Sequence, residues 1–548
     1  ADKIDKSSDF CELSFRIMIH AMHQTTTECI KSVYVSMVLQ SNKLEKLNMR
    51  RVSDALYKFV NDNSNKLENI IQHVADYELD HNGLSILKNK CLLRGADDEI
   101  VERPQHMFMR VAIVMSNYDI NLVPSVYKHL SRLDYTPSIE LLTSLGTDGT
   151  MPLRDTILKS PCYDNSRNVD NLIVDIMKAR AYSKTISMDG NFMNMTDRSH
   201  IVDDTNTFKR LIDILSIVDG KYTVDCPEYI VNLSILGYNT YYIIKYMIPI
   251  LKKHGNWKIV LWMDDLFVRK LTNKERWFLF DVQAVQLMSK LYGEEYRTCY
   301  EDLISSGDYV DSVKIEKYMK MISSLVLTMN DKFVILHRDH YLSKCNDKEV
   351  LVSNHHGDVV YFSEEDDSDN VKSFDRIFIN LSNCLDEYGE FDYEKLSQLV
   401  VCSMFGLYNI NHDDTFEGIP RISVHGFSNV LMKMGLSYMN ERAREIDIKI
   451  NRTIYNTWLY TSNHMEHVNF VSTRWEPQYA LWNHLPSESV NSWDELRRSI
   501  HEYGLWKDTM ISIIYEEEVA ALQKNEIGYE PIRSITKNIH VSSRDHKI

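Results

Sequence analysis

The sequence predicts an α/β protein in which a helical amino-terminal region precedes a domain built on a large sheet. Helical periodicity dominates residues 10–75, where Leu13, Ile17, His20 and Ala21, and later Ile30, Val33 and Met37, recur at helical spacing. Short apolar runs of strand character then alternate with helical stretches through most of the remaining chain. Only 18 glycines and 11 prolines occur in 548 residues, near half of ordinary usage, which favours long regular elements over glycine loops and linkers.

A polar connector at Leu79–Gly83 leads to Ile86–Leu93, and a helix is expected over about Arg103–Ser116, with Met107, Val111, Ala112 and Met115 on one face. Strands are expected at Trp257–Met263, Phe333–His337, Val350–Val352, Val359–Phe362 and Arg376–Leu381. Between and after them, helices are expected at Asp265–Lys270, Val310–Leu327, Tyr393–Tyr408, Gly426–Met434 and Ala443–Tyr460. The acidic run Glu364–Asp369 reads as a solvated turn, because the spacing and glycine of a calcium loop are missing.

Composition narrows the function classes. A net charge of −16 speaks against general nucleic-acid binding, which needs a basic face. The polar start Ala1–Phe10 is unlike a signal peptide, and the apolar stretch Tyr229–Leu251 is interrupted by Asn232, Ser234, Asn239, Thr240 and Lys245, so no bilayer span is expected. Nine scattered cysteines without a CxxC pair read as reduced thiols, giving a cytoplasmic expectation. His337-Arg338-Asp339-His340 imitates a kinase catalytic loop, but Lys344 stands where the required Asn belongs. Neither GxxxxGK[ST] nor GxGxxG occurs. The pairs His20/His23 and His464/His467 lack an HExxH frame, so no metal is expected.

One segment is specific. Val101-Glu102-Arg103-Pro104-Gln105-His106-Met107-Phe108-Met109-Arg110-Val111-Ala112 resembles the ERPQHMxMRVA signature of the large, catalytic subunit of class I ribonucleotide reductase. Three blocks follow in the family's order: Leu261–Phe267 is similar to LWIPDLF, Ile422–Phe427 to IGVQGL, and Gln478–Asn483 to QYDMWN. The resemblance implies the family's ten-stranded α/β barrel in residues 121–548, cut short at its carboxyl end, behind a helical domain in 1–120 without the ATP-binding cone.

The resemblance also says where chemistry is expected. The family carries its thiyl radical on the cysteine of an NxCxE loop; the matching residues are Asn354, His356 and Asp358, with His355 between the first two. A thiol S–H exchanges a hydrogen atom with ribose, whereas an imidazole N–H does not. Loss of the radical site is the expectation, with a metal site or acid–base pair at His355-His356 and Asp358 as the alternative. Of the two reducing cysteines, one position falls on Ile379 and the other on Asp155 or Thr156, with Cys162 shifted away. The substrate-diphosphate segment PTAST matches Tyr515-Glu516-Glu517-Glu518-Val519, three carboxylates where a polyanion would sit. The glycine finger falls on Ala181–Ser187 and the substrate-selecting loop near Asp225–Glu228, both without the family's pattern.

The expectation is therefore a degenerate homologue that is not an enzyme, a pseudoenzyme of ribonucleoside-diphosphate reductase, without cofactor. Inactive homologues of this kind occur in large DNA viruses as virion components or binders of host proteins. By that resemblance the chain is expected in host cytoplasm or packaged in a virion, acting as a scaffold for protein partners or as a homodimer, without docking the small subunit. A regulatory subunit paired with an active reductase is the alternative, followed by a working reductase.

Overall fold

In a computed structural model, the described residues are 8–47, 49–148, 154–158, 167–179, 183–189, 228–238, 240–241, 243–245, 257–289, 291–329, 333–343, 349–354, 357, 360–363, 371–410, 418–469, 492–506, 511–512, 514, 516–525, 529 and 531. The chain divides into two compact units, one formed by residues 1–152, 374–476 and 491–548, the other by 153–373 and 477–490.

The first unit opens with helices α1 (Ser8–Thr25), α2 (Ile30–Leu39) and α3 (Asp54–Ile70), as the periodicity predicts. Phe15, Ile19 and Met22 bury one stripe of α1, and Ile30, Val33, Tyr34 and Met37 bury that of α2. Helix α4 (Pro104–Met115) starts with proline in its first turn, where the missing N–H costs nothing. It lies against α5 (Val123–Ser131). A short strand, β1 (Tyr135–Pro137), closes this part.

In the second unit, β2 (Arg154–Leu158), β3 (Ser183–Asp189), β4 (Glu228–Ser234) and β5 (Trp257–Met263) pair in parallel in that order. Helices α6 (Asp265–Thr272), α7 (Val282–Ser289), α8 (Gly293–Ser306) and α9 (Ile315–Met329) precede β6 (Phe333–His337), which pairs in parallel with β5 on its other side. Alternation sorts each strand's side chains between two faces. Tyr229, Val231, Leu233, Trp257, Ile259 and Leu261 enter the main core with Trp277, Tyr296 and Tyr318, while Ile230, Val260 and Trp262 form a separate cluster. After α10 (Arg338–Leu342) come β7 (Glu349–Ser353) and β8 (Val360–Ser363), an antiparallel hairpin, with β7 lying against β2, β3 and β4.

Strand β9 (Val371–Asn380) leads back into the first unit, where it pairs antiparallel with β1. There follow α11 (Tyr393–Ile410), β10 (Gly418–His425) next to β9, α12 (Phe427–Lys433), α13 (Glu441–Asn469), α14 (Ser492–Tyr503) and α15 (Glu517–Leu522).

One expected element differs. The helix expected over Val310–Leu327 begins only at Ile315, because Asp311–Lys314 is a strand paired antiparallel with Arg276–Leu279. Partly buried Phe278 and buried Trp277 on that ribbon offer packing that outweighs the local helical pattern. Among the described residues no helix is long and apolar enough to cross a membrane.

Candidate functional site: the hairpin tip and the helix start

The residues that carry the family signature form a structural hub in the first unit. Glu102 and Arg110 are both fully buried and joined by Nε–Oε1 and Nη2–Oε2 contacts of 2.9 and 3.1 Å. Arg110 also donates to the Leu142 carbonyl, while Glu102 accepts from the Leu93 amide and the Tyr34 hydroxyl. Arg103 reaches Thr26 and the carbonyl of His23, and His106 contacts the Glu28 carbonyl at 2.8 Å through Nε2. Gln105 accepts from both Tyr127 and Ser131. Side-chain and backbone groups from five segments thus meet on Glu102, Arg103 and the first two turns of α4. Burial holds the His106 imidazole neutral by pushing its pKa down to about 3.

The LWMDDLF block is likewise architectural. Asp264 caps α6 by accepting from the Phe267 amide at 2.8 Å and takes a hydrogen bond from the Tyr296 hydroxyl at 2.8 Å. Asp339 accepts from the Asp265 amide, and the Arg338 guanidinium sits over the Tyr296 ring. The kinase-like tetrad is thereby explained as support for this turn.

In the second unit, the hairpin tip is held by residues of the face that carries Ile230 and Trp262. Asn232, fully buried on β4, donates through Nδ2 to the Ser353 carbonyl at 3.0 Å, and its Oδ1 accepts from the Ser353 amide at 2.9 Å and from Trp262 Nε1 at 3.0 Å. Asn354 is 2 % exposed. Beyond it Gly357, at φ +73°, packs against Leu336, and its carbonyl accepts from the Tyr341 hydroxyl at 3.0 Å. Tyr341 meets the Trp262 ring edge to face. The expected site residues His356 and Asp358 lie outside the described residues. The anchors Asn232, Trp262 and Tyr341 were missed; the available signal was a polar Asn232 inside an otherwise apolar strand.

The two expected redox positions are both on strands. Ile379 is fully buried on β9 opposite Tyr135 of β1, and Asp155 lies in β2 opposite Thr185 of β3. The structure brings neither together with a cysteine pair: the described cysteines Cys29, Cys91, Cys299, Cys384 and Cys402 are all free thiols.

The third expected site is the start of α15. Tyr515 lies outside the described residues, while Glu516, Glu517 and Glu518 are half-buried and Val519 is buried. Glu518 Oε1 pairs with Lys90 Nζ at 2.6 Å. The Glu516 amide donates to His425 Nε2 at 3.4 Å, and its carboxylate counteracts the burial that pushes the Arg376 guanidinium down to about 10. His425 stacks on Phe378 and bonds Gln523 through Nδ1, and burial lowers its pKa to about 4. Gln523 in turn donates to the Phe378 carbonyl and to Thr136. The carboxylates thus face cations that belong to the same chain. Among the described residues, no group of three or more His, Cys, Asp or Glu side chains is arranged to hold a metal ion.

These features define an α/β reductase-type barrel domain preceded by an all-helical domain. The model of the ribonucleotide reductase barrel domain matches residues 251–545, more than half of the chain, and that of the ribonucleotide reductase all-alpha domain matches 77–150. The chain belongs to the ribonucleotide reductase large-subunit family. It is 22 % identical to the ribonucleoside-diphosphate reductase large chain of Cryptosporidium parvum over 96 % of this chain and 69 % of that protein. It is also 22 % identical to the large subunit of Trypanosoma brucei brucei (98 % and 69 %). To that of Variola virus it is 23 % identical (96 % and 71 %). These relatives bear the names of enzymes, and that overturns the expectation that this chain is not one. The substitutions at His356 and Ile379 are local, whereas the likeness spans nearly the whole chain.

Proposed function

We propose that this member of the reductase large-subunit family acts through protein contacts, as a scaffold or assembly component. The observation that supports this reading is the start of α15, where Glu518 is paired with Lys90 and Glu516 acts on Arg376. A nucleoside diphosphate brought there meets carboxylates already engaged with the chain's own cations rather than free hydroxyls. A reductase large subunit, with which the chain would act as a regulatory partner, and viral or host proteins are the partner classes. Size-exclusion chromatography with light scattering, on the chain alone and mixed with an active reductase, tests the reading. A stoichiometric complex is the expected result; a chain that stays monomeric with every partner class overturns it.

A second reading is ribonucleoside-diphosphate reduction by the chain itself. The names of the relatives and the hairpin tip anchored beside buried Asn354 favour it. Turnover in the presence of a radical-supplying small subunit, abolished in His356→Ala, is its signature.

A further inference from the structure

Helix α8 carries a groove that the barrel loop does not explain. The groove, of about 680 Å³, runs between α7 and α8, and its floor is formed by Leu287, Cys299 and Leu303. Leu287 is 59 % exposed, an aliphatic side chain left uncovered. The rim is acidic: Glu294, Glu295 and Asp302 line it. From α7, only the uncharged Leu287 lines the groove among the described residues. Arg297, the one basic residue of α8, is engaged with Glu301 at 3.0 Å and Glu294 at 3.6 Å. Glu295 and Asp302 have no ion-pair partner among the described residues. They stand seven residues apart on one helix, hence about 10 Å apart along its axis.

We propose that this groove docks a basic amphipathic helix of a partner protein, which sets lysine or arginine against Glu295 and Asp302 and an aliphatic stripe against Leu287 and Leu303. A helix repeats its face every two turns, so basic residues at i and i+7 reach both carboxylates while i+3 and i+4 face the floor. The acidic rim repels anionic lipid and nucleic acid, and neutral apolar peptides leave two carboxylates desolvated without compensation.

The test uses the full chain and a fluorescein-labelled 18-residue helical peptide with lysines at i and i+7 and leucines at i+3 and i+4. Anisotropy rises on titration and Cys299 alkylation slows in the bound state. The Glu295→Lys/Asp302→Lys variant, whose surface changes leave its circular dichroism unaltered, binds about tenfold or more weakly. Binding also weakens with added salt, and an isosteric peptide with glutamate for lysine does not bind. Equal affinity of the variant and the parent, or no anisotropy change up to about 100 µM peptide, overturns the proposal. The proposed scaffold role is judged separately by the complexes above, and does not stand or fall with this peptide.

Discussion

Asn232 and Ser353 exchange two hydrogen bonds across 121 residues of sequence, Asn232 Nδ2 to the Ser353 carbonyl at 3.0 Å and the Ser353 amide to Asn232 Oδ1 at 2.9 Å. A carboxamide presents a donor and an acceptor side by side, so it mimics a strand and satisfies both backbone groups of buried Ser353. The same Oδ1 takes the Trp262 indole proton, which fixes the ring that Tyr341 meets.

Asn232→Ala leaves the Ser353 amide and carbonyl and Trp262 Nε1 buried without this partner, at about 1–3 kcal/mol for each group that water cannot reach. The urea midpoint falls, and hydrogen exchange at Ser353 accelerates before that of the β4–β5 ladder. An unchanged Ser353 exchange rate rejects the anchoring role.

Breaking the Glu102–Arg110 pair is far costlier than losing a surface ion pair, because both partners are fully buried. Glu102→Gln strands a buried guanidinium, and about 3–5 kcal/mol of stability is lost. Thermal unfolding of Glu102→Gln and of Glu102→Gln/Arg110→Met separates the two contributions; the double variant recovers part of the loss by removing the orphaned charge.

The Lys90–Glu518 pair, by contrast, is only half-buried, with side chains 30 % and 21 % exposed. A double-mutant cycle with Lys90→Met and Glu518→Gln gives a coupling of about 1 kcal/mol or less. A coupling of 3 kcal/mol would show a much drier contact than the structure describes.

Acid sensitivity follows from two buried imidazoles. His425 and His106 are neutral in the folded chain, with pKa values near 4 and 3, and titrate near 6.5 when unfolded. The unfolded state therefore binds more protons below pH 6.5, and stability present above that value is lost as pH falls towards 4. Each imidazole contributes a slope approaching about 1.4 kcal/mol per pH unit in that window. Urea midpoints between pH 7 and 5 measure it, and His425→Gln removes one proton's share of the slope. A pH-independent midpoint contradicts the burial of both rings.

In the Ile422–Phe427 block, Gly426 adopts a left-handed backbone conformation that favours glycine. It enters α12 at φ +86°, and a Cβ there would lie 2.6 Å from Asn525 Oδ1. Gly426→Ala pays left-handed strain of about 1 kcal/mol together with displacement of Asn525, which also bonds Asn380 and Ser382. A melting temperature equal to the parent's contradicts the close approach.

Much of the fold was legible because local pattern and tertiary role coincide. Trp257–Met263 and Phe333–His337 form strands at the expected bounds; the apolar run of the first is buried on both faces of a parallel sheet, whereas the second buries Phe333 and leaves Ile335 exposed. The helix around Arg103–Pro104 was readable from its proline and its apolar stripe. Asp311–Lys314 was not, since its strand exists only through pairing with Arg276–Leu279. The partners of the expected site residues were not legible. The expected positions Asn354, Ile379 and Glu516–Glu518 rest on the likeness to the family's motifs, and nothing local announces that Lys90 reaches Glu518 from 428 residues away.

By itself, then, the sequence determined the family, the order of helices and strands, and the identities of the side chains at the hairpin tip and the α15 start, because these are fixed by residue type and spacing along the chain. Only the tertiary structure decided that ERPQHM is a buried hub, that Asn232 serves as a surrogate strand for Ser353, and that the α15 carboxylates meet the chain's own cations. Those are relations among groups far apart in sequence, and their energies arise from burial and distance, which a linear string does not contain.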